Sequence, residues 1–157
     1  MYALGNTNIV IRVTKDGAEL SKQEMDEGVA VLEEKVRRYR PESVCIVGKS
    51  IWESVWRVRH RQKIEKEEFR YGWQEQGENM GVVKGEWEGA KVFVATTTSG
   101  LAAGMKPHEK EEVWRGLGGW VKQKRKNRGI PDEGCAKAEV DEATEEVVED
   151  SGEGKIR

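Results

Sequence analysis

The chain has 157 residues, of which 36% are hydrophobic and 36% are charged, and its formal net charge is −2. This length fits one domain, and no apolar run approaches the roughly 18 residues of a membrane span, so we expect a soluble, intracellular protein. The two cysteines, Cys45 and Cys135, show neither metal-binding spacing nor a disulfide framework, which favours a reducing compartment.

The charge is distributed unevenly along the chain. The residues after Pro131 include ten acidic and three basic side chains and no aromatic one, whereas the part before Pro131 has 24 basic and 19 acidic residues. A mildly basic segment is therefore joined to a strongly acidic one that has little apolar surface to bury. We expect an α/β domain over residues 1–128 and an acidic, disordered tail over residues 129–157.

The first half of the chain predicts a strand, a helix and a second strand. Residues 8–13 (NIVIRV) are typical of a short strand, and Ser21 with Glu24 has the spacing of a capping box. A helix is predicted from there to Pro41, which ends it. Its apolar residues recur at intervals of three and four and predict one buried stripe, which consists of Met25, Val29, Leu32, Val36 and Tyr39.

The second half continues the alternation. Residues 43–47 predict a strand, residues 51–59 a short helix, residues 69–74 a hairpin or loop, and the run around Val92 a third strand. A last helix begins near Pro107, and its predicted buried face is Val113, Leu117, Trp120 and Val121. The order β-α-β-α-β-α predicts a parallel sheet with helices on both faces.

Two loops at predicted strand ends are candidate binding sites. Thr96 to Gly100 places small hydroxyl side chains where open α/β sheets bind ligands, and Leu101 is an isolated hydrophobe suited to wedging into a stacked duplex. A strand-to-helix turn is the structural alternative. Gly48-Lys49 is not a P-loop, because Ser43 stands where the first glycine is needed. It indicates either a contact to one backbone phosphate or a plain turn.

The remaining candidates have simpler structural explanations. His60 and His108 lack a matching nucleophile, and the tryptophans, such as Trp52 and Trp56, fit core packing better than base stacking. The run 122–128 (KQKRKNR) fits a nuclear-import patch, a contact to the DNA backbone, or the cationic end of a helix.

Together these segments resemble the mismatch-specific uracil/thymine DNA glycosylases of the uracil-DNA glycosylase superfamily. The resemblance rests on GNTNIVIRVT at 5–14, AELSKQE at 18–24, RRYRP at 37–41, SVCIVGKSIWE at 43–53, YGWQ at 71–74 and VFVATTTSGL at 92–101. These pieces keep the order and spacing of the family, and the resemblance covers roughly residues 1–125.

The resemblance implies a three-layer α/β/α sandwich with a mainly parallel sheet and hydrolysis of the N-glycosidic bond of uracil or thymine opposite guanine. It implies a base pocket with Asn8 and Thr14, and DNA contacts from Gly48, Lys49, Thr98, Ser99, Gly100 and Leu101. The implied partner is double-stranded DNA with a G·U or G·T mismatch, and the implied protein is a nuclear monomer without cofactor, metal or membrane association.

The sequence also departs from the family. Thr97 and Thr98 replace Asn and Pro of the family's insertion loop, and Ala102 and Ala103 replace Ser and Arg. The family's Gly-Ile-Asn-Pro-Gly motif, whose asparagine positions the attacking water, is absent from these 157 residues. We therefore expect an N-terminally truncated member in which catalysis is impaired and for which we assign no catalytic residue. The alternatives are a non-catalytic DNA-binding remnant and an unrelated phosphate-binding α/β domain.

Overall fold

A computed structural model of the chain describes residues 4–14, 19–98 and 105–130. The elements, in chain order, are helix α1 (Lys22–Tyr39), strand β1 (Ser43–Val47), helix α2 (Lys49–His60), strand β2 (Gly72–Trp73), strand β3 (Lys91–Ala95) and helix α3 (Pro107–Asn127), and a 3₁₀ turn lies at Gln76–Glu78 between β2 and β3. The predicted order of elements is thus confirmed from residue 21 onward. The acidic tail predicted after residue 128 lies outside the described residues, apart from Gly129 and Ile130.

The three strands form one small mixed sheet in the order β1-β3-β2. β1 and β3 are parallel over five residue pairs, whereas β2 pairs with β3 in the antiparallel sense through Gly72 and Trp73. β2 joins β3 through a local connection and not through a crossover helix, and this permits the antiparallel pairing. The described residues therefore do not establish the mainly parallel sheet or the three-layer sandwich that we expected.

The predicted first strand, residues 8–13, is wrong. This segment forms bends and irregular backbone, and the side chains of Ile11 and Val13 are 94% and 96% exposed. Its alternating apolar residues are typical of a half-buried strand, but no described strand pairs with it. It packs instead along α1, where the carbonyl oxygen of Ile9 lies so close to Gly28 that a Cβ there would overlap it.

α1 confirms both of its predicted ends and most of its buried stripe. The Ser21 hydroxyl accepts a hydrogen bond from the Glu24 amide, and the Glu24 carboxylate accepts one from the Ser21 amide. Met25, Val29 and Val36 are buried. Tyr39 is 71% exposed, contrary to prediction, because the helix ends there and the chain turns through Arg40 into β1.

The core lies between the sheet and the pair α1 and α2. Val92 and Val94 of β3 project to this side, where they join Val29, Trp52 and Val55. Trp52 is completely buried, so the core role predicted for it is confirmed. The other core residues of this cluster are Val36, Ile46, Met80 and Ala90.

α3 packs against the opposite face of the sheet, but less tightly. Trp120 and Phe93 both lie against Trp73, at ring-centroid distances of 5.0 and 5.1 Å. The three-stranded sheet offers this long helix too little surface to bury any of its residues fully. Val113, Leu117 and Trp120 are half-buried, and the predicted burial of Val121 is wrong, since that side chain is exposed. Among the described residues, no helix is long and apolar enough to span a membrane.

Candidate nucleic-acid interface

The carboxyl ends of β1 and β3 meet at one edge of the sheet, because the two strands are parallel. The backbone N–H of Gly48, just after β1, donates a hydrogen bond of 2.9 Å to the carbonyl oxygen of Ala95, the last residue of β3. This bond places Gly48-Lys49 directly beside the residues that follow Ala95. Of the predicted DNA-contacting residues, Gly48 and Lys49 therefore lie at this edge, and Thr98 follows three residues after Ala95, while Ser99, Gly100 and Leu101 lie outside the described residues.

Gly48 gives α2 an N-terminus that no side chain caps. Its φ of +110° is a conformation that favours glycine, and it carries the chain from β1 directly into the helix. No acidic residue lies in the first turn of α2, and a Cβ built on Gly48 would meet no atom within 4 Å. The first amides of α2 are thus available to an anion, and the helix dipole favours negative charge at this position.

Lys49 adds a positive charge to the same position. Its ammonium nitrogen lies 3.7 Å from the Glu53 carboxylate and 4.6 Å from the centre of the Phe69 ring. Both partners are partly exposed, and pairs of this kind are held only weakly in water. The ammonium group can therefore exchange Glu53 for a phosphate with little cost in free energy.

Two aromatic residues at this edge were not assigned to the site from sequence. Gly72 pairs with Val94, so the residues just before β2 reach the carboxyl end of β3. Phe69 and Tyr71 lie there with their rings edge to face, 4.9 Å between centres. Burial, and then the charge of Glu53, raises the pKa of Tyr71, so its hydroxyl keeps its proton at neutral pH. Phe69 and Tyr71 alternate with polar or small residues just before a short strand, and this alternation is the sequence signal that could have placed them at the site.

Thr96 is the least exposed of the described residues of the predicted Thr/Ser loop, residues 96–98. Its side chain is 2% exposed, and its hydroxyl oxygen has no hydrogen-bond partner among the described residues. Thr98, two residues further on, is exposed. Thr96 at the beginning of the loop thus belongs to the core, whereas the side chain of Thr98 is available to a ligand.

Asn8 and Thr14, the predicted base-pocket residues, lie on the segment that precedes α1 in the chain and packs along that helix. Hydrogen bonds from Lys35 to the Thr7 hydroxyl and from Arg12 to the Glu24 carboxylate fasten this segment at two points of the helix. Asn8 is exposed and Thr14 is half-buried. Neither the cavity beside Met105 and Val113 nor the cavity between α1 and α2 is lined by Asn8 or Thr14.

The histidines and tryptophans give no second site at this edge. His60 lies at the far end of α2, where its Nε2 is 3.0 Å from a carboxylate oxygen of Glu78 and its ring stacks on Trp56 at 4.1 Å. Trp52 and Trp56 form an edge-to-face pair inside the protein. These contacts account for the residues structurally, as the sequence predicted.

Known proteins resemble this chain over most of its length. The family model of the uracil DNA glycosylase superfamily matches residues 3–118. A G/U mismatch-specific uracil DNA glycosylase from Schizosaccharomyces pombe is 38% identical over 114 residues, which cover 72% of this chain and 32% of the relative. The matched part thus spans about a third of the length of that relative. The extent of the family match shows that this chain belongs to the uracil DNA glycosylase superfamily.

Proposed function

We propose that this chain acts in DNA base-excision repair as a G/U mismatch-specific uracil DNA N-glycosylase, or as part of one. The observation that carries the proposal is the hydrogen bond from Gly48 to Ala95, which joins an uncapped helix N-terminus to a loop of small hydroxyl residues. Membership of the superfamily and the activity for which the Schizosaccharomyces pombe relative is named support it. Because the match spans a third of that relative, activity and substrate remain proposals for this chain.

In this proposal Gly48 and Lys49 hold one phosphate of the DNA backbone. The amides of the first turn of α2 donate hydrogen bonds to the phosphate oxygens, and the Lys49 ammonium supplies a full positive charge. Such a contact fixes the position of the duplex on the protein but does not read its sequence.

Recognition of the base requires that the nucleotide leave the helix. Rotating a nucleotide out of the stack costs a few kcal/mol and costs least for a mispaired base, which favours uracil or thymine opposite guanine. We propose that Asn8 and Thr14 hydrogen-bond the edge of the flipped pyrimidine. Thr98, Ser99, Gly100 and Leu101 would enter the duplex, with the Leu101 side chain filling the vacated space.

For the hydrolysis step, the chain offers no residue that we assign to positioning the attacking water. The 157 residues contain no Gly-Ile-Asn-Pro-Gly sequence, the motif whose asparagine positions water in the family that the chain resembles. We therefore propose that this chain excises bases slowly and retains mismatch binding. A non-catalytic mismatch-binding protein of the same fold is the second candidate, and the same observation favours it.

We also propose a nuclear location and a monomeric state. The cationic run 122–128 is compatible with a nuclear-import patch, and it lies in the last turns of α3, where all but its final residue belong to the helix. We further propose that the domain ends near residue 128 and that an acidic tail follows it.

The first experiment is a base-excision assay with the purified 157-residue chain. The substrates are duplexes with one G·U, one G·T or one G·C pair, and alkaline cleavage of the strand reports excision. We expect little excision and preferential binding of the G·U duplex. Excision well above background would mean that another residue positions water, and equal binding of all three duplexes would contradict mismatch recognition.

The proposed phosphate contact is tested separately with Lys49→Gln. The affinity for G·U duplex should fall, and the slope of log K against log salt should decrease by about 0.9, as expected for one lost phosphate contact. Lys84→Gln is the matched control, because this substitution removes the same charge. Lys84 is exposed and lies in the turn between Val83 and Trp87. Identical slopes for the two variants would exclude Lys49 from the DNA contact.

A further inference from the structure

The C-terminal ends of the three helices lie at the amino end of the sheet, opposite the candidate DNA-binding edge. α1 leads into β1, while α2 and α3 follow β1 and β3, so all three run against the parallel strands. Glu42, just before β1, confirms the position of α3, because its carboxylate pairs with both Lys124 and Arg128. We call this part of the molecule the basic end.

Cations dominate the basic end and exceed what its carboxylates neutralise. The last turns and caps of the helices contain Arg37, Arg38, Arg40, Arg57, Arg59, His60, Arg61, Lys124, Arg125, Lys126 and Arg128. Glu86 pairs with Arg40, and Glu33 with Arg59. Among the described residues, no carboxylate forms an ion pair with Arg37, Arg38 or Arg61. Their charges exceed what a helix dipole requires, since its effect is confined to one turn.

A shallow cavity of about 580 Å³ opens at the basic end between α1, α2 and residues 77–82. Its wall combines the cationic Arg37 and the ring of His60 with the aliphatic side chains of Val58 and Val82. Val58 is 40% and Val82 52% exposed. The wall also holds Arg59 with its partners Glu33 and Glu78, so the cavity offers mainly apolar surface, and Arg37 is its cation without a paired carboxylate among the described residues.

The protein's own sequence supplies an acidic, partly aliphatic chain at this place. The described residues end at Ile130, whose amide donates to the carbonyl oxygen of Arg125, so the chain leaves α3 beside Glu42. Residues 131–157 hold ten acidic and three basic residues, with Val140, Val147 and Val148 among the acidic ones. At about 3.3 Å per extended residue, fewer than half of them are enough to cross a domain of this size.

We propose that residues 131–157 dock on the basic end of the same molecule. The carboxylates around Glu145 and Glu149 lie against Arg37, Arg38 and Arg61, and the valines between them cover Val58 and Val82. Docking there leaves Gly48 and Lys49 uncovered at the other end of the sheet. It also screens the basic end from the phosphate backbone of DNA, so that DNA binding is confined to the opposite edge.

The experiment uses the full 157-residue chain with a nitroxide spin label on the tail. Ser151→Cys carries the label in a background of Cys45→Ser and Cys135→Ser, and amide NMR signals of the ¹⁵N-labelled protein report broadening. We expect broadened amides at residues 37–40 and 58–61 and sharp ones at residues 48–50. The broadening should be lost when salt is raised from about 0.1 M to about 1 M, because the Debye length falls from about 10 Å to about 3 Å.

A charge-matched pair of variants separates docking from general attraction. Arg37→Gln with Arg38→Gln should abolish the broadening at the basic end, whereas Lys22→Gln with Arg115→Gln, which removes two exposed cations elsewhere, should leave it unchanged. Equal broadening at both ends of the sheet, or none at either, would overturn the proposal. A mixture of spin-labelled ¹⁴N protein with unlabelled ¹⁵N protein reports contacts between molecules alone. Broadening of the basic end in this mixture, at the strength seen in the doubly labelled protein, would assign the basic end to a second copy and overturn the proposal as well.

Discussion

At the scale of single residues, the Thr96 hydroxyl is the clearest unsatisfied group of the candidate site. A buried hydroxyl without a partner loses its hydrogen bonds to water and gains none in the protein. The neighbouring Gly48 is satisfied through its bond to Ala95, so the cost is confined to one side chain. The residue type at this position is therefore not explained by stability.

Replacing Thr96 with valine should stabilise the protein. Valine has nearly the same shape and removes the unpaired hydroxyl, so the free energy of unfolding should rise by about 1 kcal/mol. Urea unfolding checks this, with Thr98→Val as an exposed control expected to change stability by less than about 0.5 kcal/mol. A loss of stability in Thr96→Val would mean that the hydroxyl has a partner in solution.

At the scale of elements, the attachment of residues 4–14 to α1 replaces the predicted strand. The Arg12 guanidinium and the amide and hydroxyl of Ser21 hydrogen-bond the Glu24 carboxylate and lower its pKa to about 2. Gly28 permits the close approach of Ile9 at the middle of the helix. One ion pair and one glycine thus position the segment that carries Asn8 and Thr14.

The Arg12–Glu24 pair predicts an acid-sensitive attachment. Since the folded-state pKa of Glu24 lies below its unfolded value of about 4.3, the pair stabilises the folded state above that pH and loses this effect as the pH falls toward 2. In a carboxyl NMR titration, Glu24 should titrate near 2 in the parent chain and at a higher pH in Arg12→Gln, because the hydrogen bond from Arg12 is the largest cause of the lowered pKa. Equal midpoints would show that the pair does not persist in solution.

The close contact at Gly28 predicts opposite effects of alanine at two helical glycines. Gly28→Ala should destabilise the protein, because the new Cβ overlaps the Ile9 carbonyl oxygen and forces residues 4–14 away from α1. Gly118→Ala in α3 should stabilise it by about 0.5–1 kcal/mol, because a Cβ there meets no atom within 4 Å and alanine favours the helix. Thermal unfolding of both variants tests this pair, and a stabilised Gly28→Ala would mean that the segment does not contact α1.

At the scale of the whole molecule, Arg59 connects three parts of the chain. Its guanidinium bonds Glu33 of α1, the Glu78 carboxylate, and the carbonyl oxygens of Glu78 and Asn79. The side chains of Arg59 and Glu33 are only 19% and 16% exposed, so removal of one charge leaves the other poorly solvated. Glu33 also accepts a hydrogen bond from the Gly81 amide, which extends the network to the wall of the cavity at the basic end.

Loss of this network should lower global stability. Arg59→Ala should reduce the free energy of unfolding by about 3 kcal/mol, because the carboxylates of Glu33 and Glu78 lose their ion pair and two backbone carbonyls lose a donor. The urea midpoint should fall while the m-value stays constant. Arg115→Ala, which removes a fully exposed pair with Glu111, should change stability by less than about 0.5 kcal/mol. Similar losses in both variants would contradict the buried network.

The sequence by itself determined the local structure and the family. The capping box of Ser21 and Glu24, the stop at Pro41 and the start of α3 at Pro107 depend on neighbouring residues, so their signals were readable without a fold. The ordered segments from Gly5 to Leu101 indicated the glycosylase family, and the family match agrees. Gly48 and Lys49 were also identified as a candidate contact before their position was known.

Only the tertiary structure decided how these parts lie against one another. Residues 8–13 have the alternation of a strand, but strand formation requires a partner, and α1 offers a binding surface instead. Burial of Tyr39 and Val121 depended on how far the small sheet extends beneath each helix. The placing of Phe69 and Tyr71 beside Lys49 followed from the antiparallel pairing of β2, a long-range contact whose sense and register local sequence does not encode.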